Sequence, residues 1–169
     1  AGPRRRHAAD LRGGFLKEFS WRTRVYWEDT DAGGVVYYAN YLRFMERART
    51  EWLRTLGYCQ RTLATRHGVL FAVTRVRIDY RRPARLDDEL SVTCEPRTVG
   101  AASVSFAQQI SRVSAAAGYD AADPPGPFDA APGVLTQAEV RIACLDAHTF
   151  RPLRMPEFLL SAFAAQEKL

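Results

Sequence analysis

The chain has 169 residues, 47% hydrophobic and 25% charged, with a formal net charge of +5, which is the profile of one globular domain with a single core. No run of about 18 apolar residues occurs, so no membrane span is expected, and Arg4-Arg5-Arg6 has no apolar segment behind it, so no secretory signal is expected either. Cys59, Cys94 and Cys144 show neither metal nor disulfide spacing and read as small hydrophobes in a reducing, cytoplasmic setting.

Residues 1–18 are mixed and basic, with Gly13-Gly14, and are expected to form a loose arm ahead of a domain over 19–169. Phe19 to Glu28 is rich in β-formers and predicts a first strand. A loop follows in which Glu28, Asp29 and Asp31 fall within four positions, directly before Gly33-Gly34 and a helix start. Tyr41, Phe44, Met45, Ala48, Trp52 and Leu56 then recur at spacings of three and four, with Arg43, Glu46, Arg47, Thr50 and Arg54 off that stripe. This predicts an amphipathic helix of about four turns, ended by Gly57. Its aromatic stripe reads as core.

Gln60 to His67 predicts a short second helix. Val69 to Arg82, Glu89 to Arg97, Ala102 to Val113 and Val134 to Leu145 predict strands, with Pro83 and Pro96 marking strand ends. Arg75, Arg77 and Arg81 alternate with Val76, Ile78 and Tyr80, which places the arginines on a solvated strand face. The alternative is a surface that attracts an anionic ligand, an acidic carrier protein or a lipid headgroup. No nucleic-acid motif accompanies the charge, so nucleic acid is not an expected partner. Ser114 to Gly133, with Pro124-Pro125-Gly126-Pro127 at its middle, reads as a flexible insertion at a hairpin tip; a substrate lid using Tyr119 and Phe128 is the alternative. Pro156 followed by Phe158, Leu159, Ala162 and Phe163 predicts a C-terminal helix. The order of one strand, one long helix and four strands implies an α+β domain, an antiparallel sheet packed on one buried helix.

Most hydrolytic site types are missing. There is no Gly-x-Ser-x-Gly elbow, no His/Cys/Asp cluster suited to zinc and no phosphate-binding Gly-rich loop; His7, His67 and His148 are isolated. Elimination leaves a carboxylate. Helix N-termini offer unpaired N–H groups and partial positive charge, and an acid beside such donors suits acyl transfer. Asp31 could instead cap its own loop, while Glu28 and Asp29 could be solvated or hold Arg22 and Arg24.

The run Arg24-Val25, Thr30-Asp31, Gly34-Val35-Val36 and Tyr37-Tyr38-Ala39-Asn40-Tyr41 resembles the active-site signature of the 4-hydroxybenzoyl-CoA thioesterase superfamily, most of all the bacterial Tol-Pal-associated acyl-CoA thioesterases. Further likeness lies in Tyr41 to Glu51, in Asp79-Tyr80 with Pro83-Ala84-Arg85-Leu86-Asp87-Asp88, and in Ala138-Glu139-Val140. The resemblance spans roughly residues 20 to 160 and implies a hot-dog fold, about five antiparallel strands wrapped round a long central helix. It implies hydrolysis of an acyl-CoA to a carboxylic acid and free CoA, without metal or cofactor. Asp31 takes the catalytic position, as nucleophile or as general base. The backbone N–H of Tyr38 takes that of the carbonyl donor, and Gly34, Val35, Val36, Tyr37 and Tyr41 those of substrate contacts. Close relatives often carry His where this chain has Tyr38, which points to a tuned acyl preference. The turn Thr98-Val99-Gly100-Ala101-Ala102 lacks the charges that grip nucleotide phosphates in some relatives, so that role passes to Arg97, Arg82 or the arm, or the grip is weak, which leaves open an acyl-carrier-protein thioester as substrate. A homodimer or tetramer is implied, with sites between protomers. The rival readings are a non-catalytic acyl-CoA binder, which would not need Asp31, and a hot-dog dehydratase, which typically relies on a histidine this motif lacks.

Overall fold

The apolar stripe that begins at Tyr41 becomes the central helix α1, Asn40–Thr55, in the computed structural model, which describes residues 19–114 and 133–166. Tyr41, Phe44, Met45, Ala48, Trp52 and Leu53 are buried along one face, while Arg43, Glu46, Arg47 and Arg54 stay exposed. The helix stops where expected. Gly57 takes φ +87°, its N–H donates to Arg54 O and the Tyr58 N–H to Leu53 O, the paired bonds of a Schellman ending.

Around α1 the chain forms β1 (Ser20–Arg24), α2 (Gln60–His67), β2 (Val69–Tyr80), β3 (Glu89–Thr93), β4 (Glu95–Val99), β5 (Ser103–Ser114), β6 (Gly133–Asp146) and α3 (Glu157–Ala164). The strands make one antiparallel sheet in the order β1-β3-β5-β6-β2, with β4 continuing beside β5 beyond β3. α1 lies across β1, β3 and β5, α2 against β2 and α3 against β4. The core between helix and sheet holds Leu90, Val92, Val104, Phe106, Ile110 and Val140. Trp52 sits edge-on to Phe106 at 5.1 Å and meets Phe163 of α3 at 5.0 Å. This is the expected hot-dog arrangement.

Three expectations change. The first strand ends at Arg24, not Glu28, because the Asp29 carboxylate accepts the Tyr26 N–H at 2.9 Å and bends Trp27–Asp29 into a 3-10 turn. The strand expected over Glu89 to Arg97 is divided at Cys94. There the Gln109 N–H donates to the Thr93 hydroxyl at 2.9 Å, and the Gln108 side-chain amide donates to the Thr93 carbonyl at 3.3 Å, so side chains replace ladder bonds. Pro96 lies inside β4 and does not end a strand. It is tolerated because β4 pairs only with β5 and a register shift follows between Pro96 and Thr98, as an edge position allows.

The basic arm over 1–18 and residues 115–132 of the expected insertion lie outside the described residues. The insertion's boundaries are described: Arg112 pairs with Gly133 across β5 and β6, so the segment joins two adjacent antiparallel strands. At the opposite edge, among the described residues, β2 pairs only with β6. Val73, Val76 and Tyr80 on it are 50%, 37% and 45% exposed. An edge strand with apolar side chains in the open is a surface that proteins ordinarily cover.

Candidate active site

The loop between β1 and α1 is shaped by its own backbone. The Gly34 N–H donates to Asp31 O at 3.0 Å, and the Asp31 N–H to Val35 O at 3.0 Å. Gly34 takes φ +72° in that turn, a conformation a side chain resists. Asp31 Oδ1 accepts the Gly33 N–H at 2.7 Å, and a Cβ on Gly33 would stand 3.0 Å from the same oxygen. The two glycines therefore let the chain wrap closely round an exposed carboxylate. Asp31 caps the loop and remains exposed.

Beyond the turn the chain enters α1 through Tyr37, Tyr38 and Ala39. The Tyr37 N–H donates to Asp29 O at 2.9 Å, the Asn40 N–H to Tyr37 O at 2.8 Å, and the Asn40 side-chain amide to Asp29 O at 2.9 Å. Asp29 is thus a buried structural acid that organises the loop through its main chain and carboxylate. The expectation that Asp29 is solvated or holds Arg22 or Arg24 is not met, since Arg22 pairs with Glu89 at 2.8 Å and Arg24 donates to Asp87 O at 2.7 Å. Glu28 is exposed. Among the described residues the Tyr38 N–H has no acceptor.

The loop rests on a second one, residues 81–88. The Val36 N–H donates to Ala84 O at 2.8 Å, the Ala84 N–H donates to the Tyr41 hydroxyl at 2.8 Å, and Val35 bridges Arg85. That second loop is held by a buried ion pair. Arg112 Nε reaches Asp88 Oδ2 at 2.8 Å with both side chains at most 5% exposed. Arg112 also donates to Pro83 O at 2.8 Å, and Asp88 accepts the Arg85 N–H at 2.9 Å. Sequence reasoning did not single out Arg112. Its signal was only a charge on the core-facing side of a strand.

The structure brings Asp31, Gly34, Val35, Tyr37 and Tyr38 together at the surface and places Val36 and Tyr41 behind them, each 3% exposed. Aromatic rings cluster at the helix entry: Tyr37 and Tyr38 lie 4.6 Å apart, Tyr38 and Tyr80 meet edge-on at 6.5 Å, and Tyr41 meets Tyr80 at 5.6 Å. The Tyr37 phenol is held above its usual range, first by its hydrogen bond to the Tyr38 hydroxyl and by that neighbour's charge, then by burial and the Asp31 carboxylate. Of the suggested phosphate-gripping residues, Arg97 pairs with Glu95 at 2.8 Å and Arg82 donates to Val134 O at 3.3 Å. A separate cavity of about 100 Å³ lies further along α1, lined by Arg49, Trp52, Phe71, Phe106 and Phe163 among others; none of residues 31–41 borders it. Among the described residues no three His, Cys, Asp or Glu side chains are grouped to hold a metal, and no helix is long and apolar enough to cross a membrane.

Comparison with known proteins places this geometry in context. The sequence profile of the Thioesterase-like superfamily matches residues 25–163. The acyl-CoA thioesterase YbgC of Haemophilus influenzae is 41% identical over 145 residues, which is 86% of this chain and 93% of that protein. The acyl-CoA thioester hydrolase YbgC of Escherichia coli is 37% identical over 145 residues, 86% of this chain and 95% of that protein. Among solved structures, a probable thioesterase from Bartonella henselae superposes with a TM-score of 0.67 at 31% identity, covering 82% of this chain and 99% of that one. A 1,4-dihydroxy-2-naphthoyl-CoA thioesterase from Synechocystis, at 20% identity and a TM-score of 0.70 over 86% of this chain and 95% of that one, shares the fold.

Proposed function

We propose that this chain, which belongs to the Thioesterase-like superfamily, is an acyl-CoA thioesterase in which Asp31 carries the reaction and the Tyr38 N–H receives the developing oxyanion. Acyl-CoA hydrolysis by the two YbgC relatives supports the substrate class. The observation that carries the residue assignment is local: an exposed carboxylate, locked by the Gly33 N–H, directly precedes a helix entry whose Tyr38 N–H is unused among the described residues. A preorganised main-chain donor of this kind can lower a barrier by roughly 3–4 kcal/mol.

Two routes use the same groups. In the first, Asp31 takes a proton from water as the oxygen adds to the thioester carbonyl. The C–S bond then breaks, and the sulfur leaves as CoA thiolate and recovers the proton from the Asp31 acid. In the second, an Asp31 oxygen adds instead, CoA leaves, and water hydrolyses the resulting anhydride, regenerating the carboxylate. Thiolate leaves readily, so neither route needs a histidine. Gly34, Val35 and Tyr37 would contact the acyl-thioester, with Val36 and Tyr41 supporting them from behind.

The working unit in this reading is a homodimer or a tetramer of such dimers. Support comes from the uncovered edge strand β2, whose exposed Val73 and Val76 suit pairing with a second copy. A cytoplasmic location, kinship with the Tol-Pal-associated branch and use of carrier-protein thioesters belong to the same proposal. The three free cysteines support a reducing compartment, and the long motif around Asp31 supports the branch.

Asp31→Asn tests the assignment. The amide oxygen still accepts the Gly33 N–H, so the loop cap survives while base and nucleophile are lost. Turnover of an acyl-CoA panel, followed by released thiol, should fall about a hundredfold or more with the fold retained. Near-normal turnover would leave Asp31 as a loop cap only.

A further inference from the structure

Tyr80 ends β2 and lies 42 positions beyond Tyr38, yet its hydroxyl donates to the Tyr38 carbonyl at 2.9 Å. The local bonds described above fix the shape of the helix entry. The Tyr37 carbonyl, held by the Asn40 N–H at 2.8 Å, orients the planar peptide that carries the Tyr38 N–H. They do not fix where that entry stands relative to the sheet. Beside the Ala84 bonds to Val36 and Tyr41, the Tyr80 hydroxyl does so at Tyr38 itself, by gripping the next peptide from outside. With one peptide plane held by Asn40 and the following one by Tyr80, both backbone torsions of Tyr38 are constrained.

The rings reinforce this tie. Tyr80 packs edge-on to Tyr38 and to Tyr41 at 6.5 and 5.6 Å, and the Tyr41 hydroxyl is committed to Ala84. The Tyr80 phenol is held above its ordinary range, first by burial and then by Tyr38. An oxyanion donor must be aimed before the reaction, because reorientation during it forfeits the advantage. We infer that Tyr80 is a positioning residue for thioester cleavage, holding the Tyr38 peptide against the end of β2 through its hydroxyl. The inference rests on the thioesterase reading above and adds a residue from a distant strand to it.

Tyr80→Phe removes the hydroxyl and keeps the ring. In the full chain, kcat for an acyl-CoA hydrolysed by the wild type should fall about tenfold, with KM within twofold and the unfolding temperature within a few degrees. A trifluoromethyl ketone analogue of the acyl-CoA, whose adduct bears an oxyanion, should bind about tenfold more weakly. A non-hydrolysable thioether analogue should bind as before. Amide hydrogen exchange should quicken over residues 37–40 and nowhere else. An unchanged kcat in folded Tyr80→Phe would overturn the inference. So would a fall in kcat that is matched by weaker thioether binding and a large loss of thermal stability, which would mark a structural role. Failure of the wild type to hydrolyse any acyl-CoA would instead bring down the thioesterase reading itself, and this inference with it.

Discussion

Asp88→Asn tests how far the site depends on a support that touches no substrate. In the folded chain Asp88 Oδ2 receives both Arg112 Nε at 2.8 Å and the Arg85 N–H at 2.9 Å, in a setting where neither charged side chain exceeds 5% exposure. Breaking a buried pair from one side typically costs about 3–5 kcal/mol, because a charge is left without its counterpart. Asparagine still accepts a hydrogen bond and Arg112 keeps Pro83 O, so the lower end, about 3 kcal/mol, is the expected loss. For a domain of this size that corresponds to a fall of about 6–12 °C in the unfolding temperature, read by circular dichroism. The same change loosens residues 83–88, and through Ala84 the Val36 and Tyr41 contacts that seat the Asp31 loop. Turnover measured well below the new unfolding temperature should therefore fall about tenfold, within the range that misplacement of reacting groups produces. An unfolding temperature within about 2 °C of wild type would refute the reasoning from the buried pair. Full turnover in a destabilised variant would refute the link from that pair to the site.

Thiol labelling should find Cys59 first. Its hydrogen bond with Thr62 at 3.0 Å lowers its pKa, whereas burial raises those of Cys94 and Cys144; peptide mapping after brief alkylation that found Cys94 modified ahead of Cys59 would contradict this. The Asp146 carboxyl is held below its usual range, first by hydrogen bonds from the Thr149 N–H and hydroxyl and then by the His148 N–H. A lowered folded-state pKa gives stability that is present above the unfolded value and lost as pH falls through the folded one. Asp146→Asn should therefore flatten the decline in unfolding temperature below about pH 4, and an unchanged acid limb would contradict it. Replacing residues 115–132 by a short Asn-Gly turn should leave thermal stability and short-chain turnover nearly unchanged, since Arg112 and Gly133 already pair across β5 and β6; a large activity loss in a stable variant would favour a lid.

The sequence showed the helix through its period, because Tyr41, Phe44, Met45, Ala48 and Trp52 must share one face to be buried, and Gly57 ends it with a conformation other residues resist. It showed the strands through alternation, and the carboxylate through a motif whose spacing survives intact. What it hid were features set by particular side-chain hydrogen bonds, some near in sequence and some far. Nothing local to Phe19–Glu28 says that the Asp29 carboxylate will fold back on Tyr26. Nothing in Glu89–Arg97 says that Gln108 and Thr93 will exchange side-chain bonds for ladder bonds at Cys94. Arg112 looked like any strand charge until its register placed it beside Asp88.

The contacts that support the site share one direction. Arg112 holds Asp88, Asp88 and Arg112 hold residues 83–85, Ala84 holds Val36 and Tyr41, and Tyr80 holds Tyr38. They run from the sheet, directly or through the 81–88 loop, toward the segment leading into α1, and most end on a main-chain atom. Main-chain anchoring explains why the side chains at 37 and 38 are free to face outward: their peptides are already held. It also divides the labour between the two halves of the site. The Asp31 turn is closed by bonds within four residues, whereas the peptides on either side of Tyr38 are held by Asn40 nearby and by Tyr80 from 42 positions away. Substitutions in the sheet should therefore misplace the donor before they disturb the carboxylate, and lower turnover before they weaken substrate binding.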